Sequence, residues 1–304
     1  PAMRSFFWKA CIFWSAMRSA TIPSSPEAKR LRLKRSGCEG GESGIMEGPG
    51  QVLPGSATGA DPVTPSPPLL LTSAIHVSAP LTNLTDAKQR LDAHLDSLAE
   101  WSRTPGVEEI VICDGSGYDL EPHLAPLRQT HPHMRYEALS FRNDQEMVAR
   151  RGKGYGEGEI VLHALGHSRI LQNSPAFAKC TGKLWLSNFS ACLRGWNGQA
   201  GFNLWGRTRI DSIDTRFYLV ARDFFDRHLR DRYRDVDDPA GYYLEHSYRD
   251  GLEGLPPRSY VMWPAPRLQG VSGSSGQGLP PQGVGRRMRN DLRNLAFRAG
   301  ILPL

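Results

Sequence analysis

The sequence predicts an α/β fold built on a mostly parallel sheet flanked by helices, and three observations carry that expectation. A buried-strand pattern, an amphipathic helix and a second buried-strand pattern follow one another from Leu69. Within about 50 residues this makes a strand–helix–strand unit, whose crossover favours parallel pairing. The alternation of apolar runs and helical periods then continues to about residue 250. Polar, glycine-bearing stretches fall just after the strands, where a parallel sheet binds its ligands.

The elements follow in order. LLLTSAIHVSA (69–79) is a short apolar run ending in small residues, the pattern of a buried strand. TDAKQRLDAHLDSLAEWSR (85–103) repeats Leu91, Leu95, Leu98 and Trp101 at three- and four-residue steps, with Thr85 placed to cap the helix. EEIVICDGSG (108–117) is a second buried strand running into a turn, LEPHLAPLRQT a short helix, and MRYEALSFRND (134–144) a third strand. After RRGKGYGEG, a helix at about 157–171 carries Ile160, Val161, Ala164, Leu165 and Leu171 on one side. KLWLSN (183–188) reads as a fourth strand. IDTRFYLVARDFFDRHLRDRY (213–233) reads as a strand turning into a helix, and YYLEHSYRD (242–250) as a short helix or an active-site segment.

Around this body lie segments of other character. Residues 1–68 are rich in Ser, Gly, Pro and Thr without hydrophobic period, and are expected to be disordered or to be upstream sequence joined to a protein that begins at Met46. The domain proper is expected at 69–267, a flexible linker at 268–285 and a basic amphipathic helix at 286–304. The net charge of +6 is concentrated in the tails: residues 1–68 hold 8 Lys/Arg against 5 Asp/Glu, and 286–298 hold 5 Arg against 1 Asp. A near-neutral body lacks the basic face of a nucleic-acid-binding domain, so no nucleic-acid partner is expected. Five scattered cysteines without CxxC indicate reduced thiols. The apolar FFWKACIFWSAM (6–17) has a lysine inside it and no small-residue cleavage site behind it, and no run is long enough to span a bilayer. A cytoplasmic protein is expected, peripheral at the inner face of the membrane if the last helix binds there.

Three features at strand ends offer chemistry. Asp114-Gly115-Ser116-Gly117 follows the second strand. An aspartate there accepts hydrogen bonds from a nucleoside while the glycines allow close approach, although the same residues also make an ordinary turn. The string from Arg150 to Glu157 opens a helix, where Arg151 or Lys153 can neutralise a diphosphate beside Gly154 and Tyr155. It is neither a mononucleotide P-loop nor a dinucleotide fingerprint. Glu157 and Glu159 either answer the helix dipole or contact substrate. Asp214 and Glu245 are the candidate bases for removing a proton from a hydroxyl. Glu245 has Tyr242, Tyr243 and His246 beside it, as suits a sugar pocket, whereas Asp214 has Arg216 two residues on. Each acid is otherwise a surface charge or a salt-bridge partner. His163 and His167 share a helix face but lack the rest of a zinc signature, so packed or surface histidines are expected and no metal site. In the C-terminal helix Met288, Leu292, Leu295 and Ala299 form a stripe roughly opposite Arg286, Arg289 and Arg293. That pattern suits an anionic membrane surface, or docking on the domain.

The order of these parts, with the acidic DGSG turn, KGYGEGEIVLHAL and KCTGKLWLSN, resembles bacterial family 2-like glycosyltransferases of polysaccharide biosynthesis over about 69–250. The resemblance implies a GT-A-like, Rossmann-type sheet binding a nucleotide sugar and serving a glycan or lipid-linked acceptor. It implies that Asp114, Gly115 and Ser116 meet the nucleoside, that the 151–157 stretch meets the donor, and that Asp214 or Glu245, with Arg216, Tyr243 and His246, faces the acceptor. The metal-binding DxD that the family places after the next strand is absent at Leu186-Ser187-Asn188. No divalent cofactor is therefore expected, and Lys153, Arg151 or Arg216 would supply the charge. Two other readings stay open: a catalytically silent nucleotide- or glycan-binding module, and a sugar nucleotidyltransferase, whose glycine-rich loop is not found after the first strand.

Overall fold

The structure, a computed structural model, describes residues 66–77, 83–206, 209–273, 276–280 and 282–302. The expected tail at 1–68 lies almost wholly outside these residues. Strands β1 (Leu69–Ser73), β2 (Glu109–Asp114), β3 (Arg135–Ser140), β4 (Ala176–Thr181), β6 (Ala200–Trp205) and β7 (Ser212–Ala221) form one sheet in the order β3-β2-β1-β4-β7-β6. β3, β2, β1 and β4 run parallel, and β7 is antiparallel to both β4 and β6. The expected α/β class, a mostly parallel Rossmann-type sheet between helices, is what the chain forms. A separate two-stranded sheet pairs β5 (Leu184–Leu186) with β8 (Leu268–Gly270).

Both faces of the central strands are covered, which is why they read as continuous apolar runs rather than alternating ones. Leu70 and Val111 face α4 (Lys153–His167), which contributes Ile160, Val161, Ala164 and Leu165. α7 (Arg222–His228) and α8 (Leu244–Gly251) extend that layer through Phe225 and Tyr248. Leu69, Leu71, Ile110 and Ile112 face the opposite layer, formed by α1 (Ala87–Ser102) and α6 (Phe189–Gly195). Trp101 of α1 is fully buried against Phe189, and its indole N–H donates to the Leu184 carbonyl at 2.8 Å. The short helices α2 (Ala125–Thr130), α3 (Gln145–Arg151) and α5 (Arg169–Gln172) fill the crossovers, and α9 (Val284–Arg298) closes the described chain.

Several expectations are corrected. Asp86 rather than Thr85 caps α1, accepting the Gln89 N–H at 2.7 Å. The fourth strand of the main sheet is Ala176–Thr181, while the apolar run at 184–186 belongs to the small sheet. The segment read as a flexible linker, 268–285, begins with β8, held to β5 by cross-strand pairing. Gly270 is there because the chain passes close to its partner: at φ +106° an added Cβ would come within 2.2 Å of the Lys183 carbonyl oxygen. α4 begins at Lys153, so the glycines expected in an open loop lie inside a helix. They make a close-packed face, and a Cβ at Gly158 would lie 2.1 Å from Cβ of Tyr233. α9 docks through Phe297 and Asn294, both fully buried. Among the described residues no helix is long and apolar enough to cross a membrane.

Candidate functional site

Beyond the carboxyl ends of β1, β2 and β4 lies a cleft of about 240 Å³. Its floor and walls bring together Ser73, Gly115, Lys153, Glu157, Lys183 and Glu245, from five places in the chain. This is where a parallel sheet presents loops without blocking them by the next strand.

Asp114 lies under the cleft rather than in it. Its buried carboxylate accepts the Ser73 hydroxyl at 2.7 Å, the Ile75 N–H at 3.0 Å, the Ser116 N–H at 2.8 Å and hydroxyl at 2.6 Å, and the Tyr118 N–H at 3.1 Å. With its acceptor capacity committed to the protein, it sets the paths of the loops after β1 and β2 instead of meeting a nucleoside. Ser116 is used likewise, its hydroxyl accepting the Ile75 and His76 N–H groups. Gly115 does border the cleft, and a Cβ there would collide with Oδ1 of Asn143, a buried acceptor lacking a donor among the described residues.

The start of α4 is also corrected. The Gly154 N–H donates to Asp238 at 3.3 Å, so a protein carboxylate already occupies the helix end expected to receive an anion. Burial raises the Asp238 pKa, opposed by that amide and by Lys153. Arg151 turns away to the Val236 carbonyl at 3.4 Å, and Tyr155 packs on Tyr233. Neither borders the cleft, while Lys153 and Glu157 do. Glu157 is ion-paired with Lys179 of β4, whose buried ammonium also donates to the Thr215 carbonyl at 2.8 Å.

That carbonyl is free because β7 bulges. Phe202 pairs with Tyr218 but the next residue, Asn203, pairs with Asp214, leaving 215–217 unpaired on that side. Bulges re-aim side chains. Here the bulge presents Thr215 and Arg216 to the cleft, and the Thr215 hydroxyl donates to Glu245 at 3.1 Å. Burial, then the charge of Glu157, push the Glu245 pKa upward. Asp214 is placed otherwise. It grips Arg216 through two bonds of 2.8 and 2.7 Å and faces a different recess. Burial opposes its charge, yet the Arg216 guanidinium holds its pKa below the ordinary value. Tyr243 and His246 stack on each other at the start of α8, where His246 Nδ1 accepts the Tyr243 N–H at 3.2 Å, and they do not border the cleft.

The decisive cations were missed from sequence. Lys183, just after β4, is 4% exposed and borders the cleft, with no hydrogen bond or ion pair to its ammonium among the described residues. Burial first, then the charge of Arg90, bring its pKa down to about 7. Arg90 is itself buried, donating to the Ala74 and Leu84 carbonyls, and burial brings its pKa down to about 10. The strand before this point is Ala176–Thr181, and it runs out through Thr181-Gly182-Lys183, which carries no carboxylate. Leu186-Ser187-Asn188 instead serves the small sheet, Asn188 bonding Ala265 and Arg267. Lys183 and Arg90 place two basic side chains side by side in this part of the cleft. His163 and His167 stack face to face at 4.0 Å, His163 also on Phe141.

No protein-family model and no curated protein matches the sequence. Among solved structures the chain is similar to HddC from Yersinia pseudotuberculosis, at 10% identity and a TM-score of 0.34 over 64% of this chain and 86% of that one. It is similar to the bifunctional WbbM at 9% identity and a TM-score of 0.43, over 79% of this chain but 45% of WbbM. A CMP:2-keto-3-deoxy-manno-octonic acid synthetase complexed with CTP is similar at 10% identity and a TM-score of 0.30, over 58% of this chain and 87% of that one. At such distances nothing about this chain's reaction follows from these proteins, and its chemistry is read from its own side chains.

Proposed function

We propose that the protein is a glycosyltransferase that moves a sugar from a nucleotide donor to an acceptor hydroxyl, with an ammonium in place of a divalent cation. The observation that carries this reading is one cleft holding the unpaired, buried Lys183 and the carboxylate of Glu245. A buried cation without a protein partner is costly to keep and is matched by an anionic ligand. In this reading the donor phosphates lie against Lys183, with Lys153 at the rim. Glu245 takes the proton from the acceptor hydroxyl. The oxygen's electron pair forms the new bond to the anomeric carbon as that carbon's bond to the donor phosphate breaks. The nucleotide leaves with the bonding pair, and Lys183 meets the charge that develops on it. Its raised pKa makes Glu245 a stronger base than an exposed glutamate.

A silent nucleotide-binding module would need the cations but not this carboxylate, and the sharing of one cleft by Lys183 and Glu245 favours the transferase. The test is calorimetric titration with a panel of nucleotide sugars, followed by an assay of nucleotide release with sugar acceptors. Absence of binding across the panel at millimolar concentration would sink the reading. Binding without release in the presence of any acceptor would leave the module.

A further inference from the structure

A second recess, about 1250 Å³, lies between the ends of β6 and β7 and the helix α9. Its charges are unbalanced. Five arginines border it against two aspartates, and both aspartates are already taken, Asp214 by Arg216 and Asp211 by Arg209. Arg286, Arg289 and Arg293 have no ion pair among the described residues. Arg293 is fixed in place: it donates to Asn203 at 3.1 Å and to Asn294 at 3.0 Å, and the buried Asn294 in turn donates to Asn203 and to the Met262 carbonyl. A guanidinium held by two asparagines and flanked by like charges is preorganised for a ligand with several acidic oxygens. Arg216, which stacks over Trp205 at 5.4 Å, borders both this recess and the cleft, so the two are contiguous.

The source of those oxygens is indicated by the other face of α9. Val284, Met288, Leu292 and Leu295 stand 70, 55, 63 and 42% exposed. They follow one another at four-, four- and three-residue steps and so form one apolar stripe, roughly opposite Arg286, Arg289 and Arg293. Soluble surfaces seldom leave such a stripe bare, whereas a helix lying at a lipid interface requires it.

We infer that the arginine recess binds the phosphate of a lipid-linked acceptor at a membrane surface, with the apolar stripe of α9 resting in the lipid and the acceptor passing Arg216 to reach Glu245. The acceptor role rests on the transferase reading; the binding of a lipid phosphate does not.

The test is co-sedimentation with phosphatidylcholine vesicles, plain, doped with a polyprenyl phosphate, or doped with phosphatidylglycerol to equal charge, alongside calorimetry with nucleotide sugars. The protein should bind the polyprenyl phosphate vesicles at least tenfold more tightly than either other kind. Arg286→Ala/Arg289→Ala should abolish that preference, Arg286→Lys/Arg289→Lys should retain most of it, and Met288→Ser/Leu292→Ser should weaken vesicle binding. Both arginines are exposed, so nucleotide-sugar binding should survive these changes. Equal binding to phosphatidylglycerol would overturn the inference in favour of a general anionic surface. Inorganic phosphate binding in the recess without vesicle binding would overturn the lipid source, and an unaffected preference in the double alanine variant would overturn the site. Arginine-dependent lipid binding in a protein that binds no nucleotide sugar would uphold the recess and refute the transferase reading alone.

Discussion

Replacing Lys183 by methionine should make the ligand-free protein more stable and weaken its hold on a nucleotide sugar. The folded protein lowers the ammonium pKa from 10.5 to about 7, chiefly by burial. At about 1.4 kcal/mol for each tenfold change in proton affinity, the full cost is about 5 kcal/mol. Relaxation and water in the cleft reduce it, so a gain of about 2–5 kcal/mol is expected from a substitution that keeps the volume and discards the charge. In a domain of this size that is roughly 5–15 °C in Tm. The pH dependence has a definite sign. The unfolded chain keeps this lysine protonated to about 10.5 and the folded chain only to about 7. Below pH 7 both states are charged and the fold bears the whole cost. Between pH 7 and 10.5 the folded group is neutral and the cost shrinks, and above that it is gone. Thermal melts of Lys183→Met should therefore show the largest gain at pH 6–7 and almost none near pH 10. Nucleotide-sugar affinity should fall by about 1.5–3 kcal/mol, the worth of a charge-assisted hydrogen bond. A variant that melts lower than the parent at pH 6–7 and binds donor unchanged would refute the reasoning.

Other outcomes follow from the same geometry. Donor affinity should decline as pH rises above about 7, by up to tenfold per pH unit, because the bound anion favours the ammonium; in Lys183→Arg calorimetry across pH should show a flat profile. Glu245→Gln should cut single-turnover transfer by roughly 10²–10⁴ with donor affinity nearly unchanged. Asp214→Asn should instead lower stability by about 1–3 kcal/mol, read by denaturant titration, because it removes the charge from a buried carboxylate that holds the half-buried Arg216; a collapse of turnover without that loss would reverse the two roles. Gly158→Ala should lower stability, read by denaturant titration, by at least the roughly 1–3 kcal/mol typical of overpacking, since the Tyr233 backbone would have to move.

Three of the four parallel strands were legible in sequence, β1 and β2 because they are apolar on both faces, with α1 between them repeating its leucines at helical spacing. β4 was not, because Ala176–Thr181 alternates alanines with Phe177, Lys179 and Cys180 and so lacks the apolar run that marked 184–186. That misplacement hid Lys183, which becomes conspicuous only once the strand is known to end at Thr181. A lysine within a strand and another just after its turn was the available signal. β6 escaped notice because Ala200–Trp205 contains a glycine and an asparagine, residues depleted in strands. Glycines misled twice, at 154–158 and at 270, where their purpose is close packing rather than open loop or free linker. Asp114 was legible as special but not in kind: one carboxylate can organise two loops or greet a ligand, and only its five donors decide between them.

β8 and the residues after it bear on how the cleft is closed. Ser272, Gly273 and Leu279 wall the cleft, and Gly273 sits directly over the Lys183 side chain. The strand pair β5–β8 anchors this wall to the chain just beyond Lys183. The enclosure of the ammonium is therefore tied to a small sheet separate from the main one, and whatever unseats β8 opens the cleft to water without disturbing the six strands beneath it.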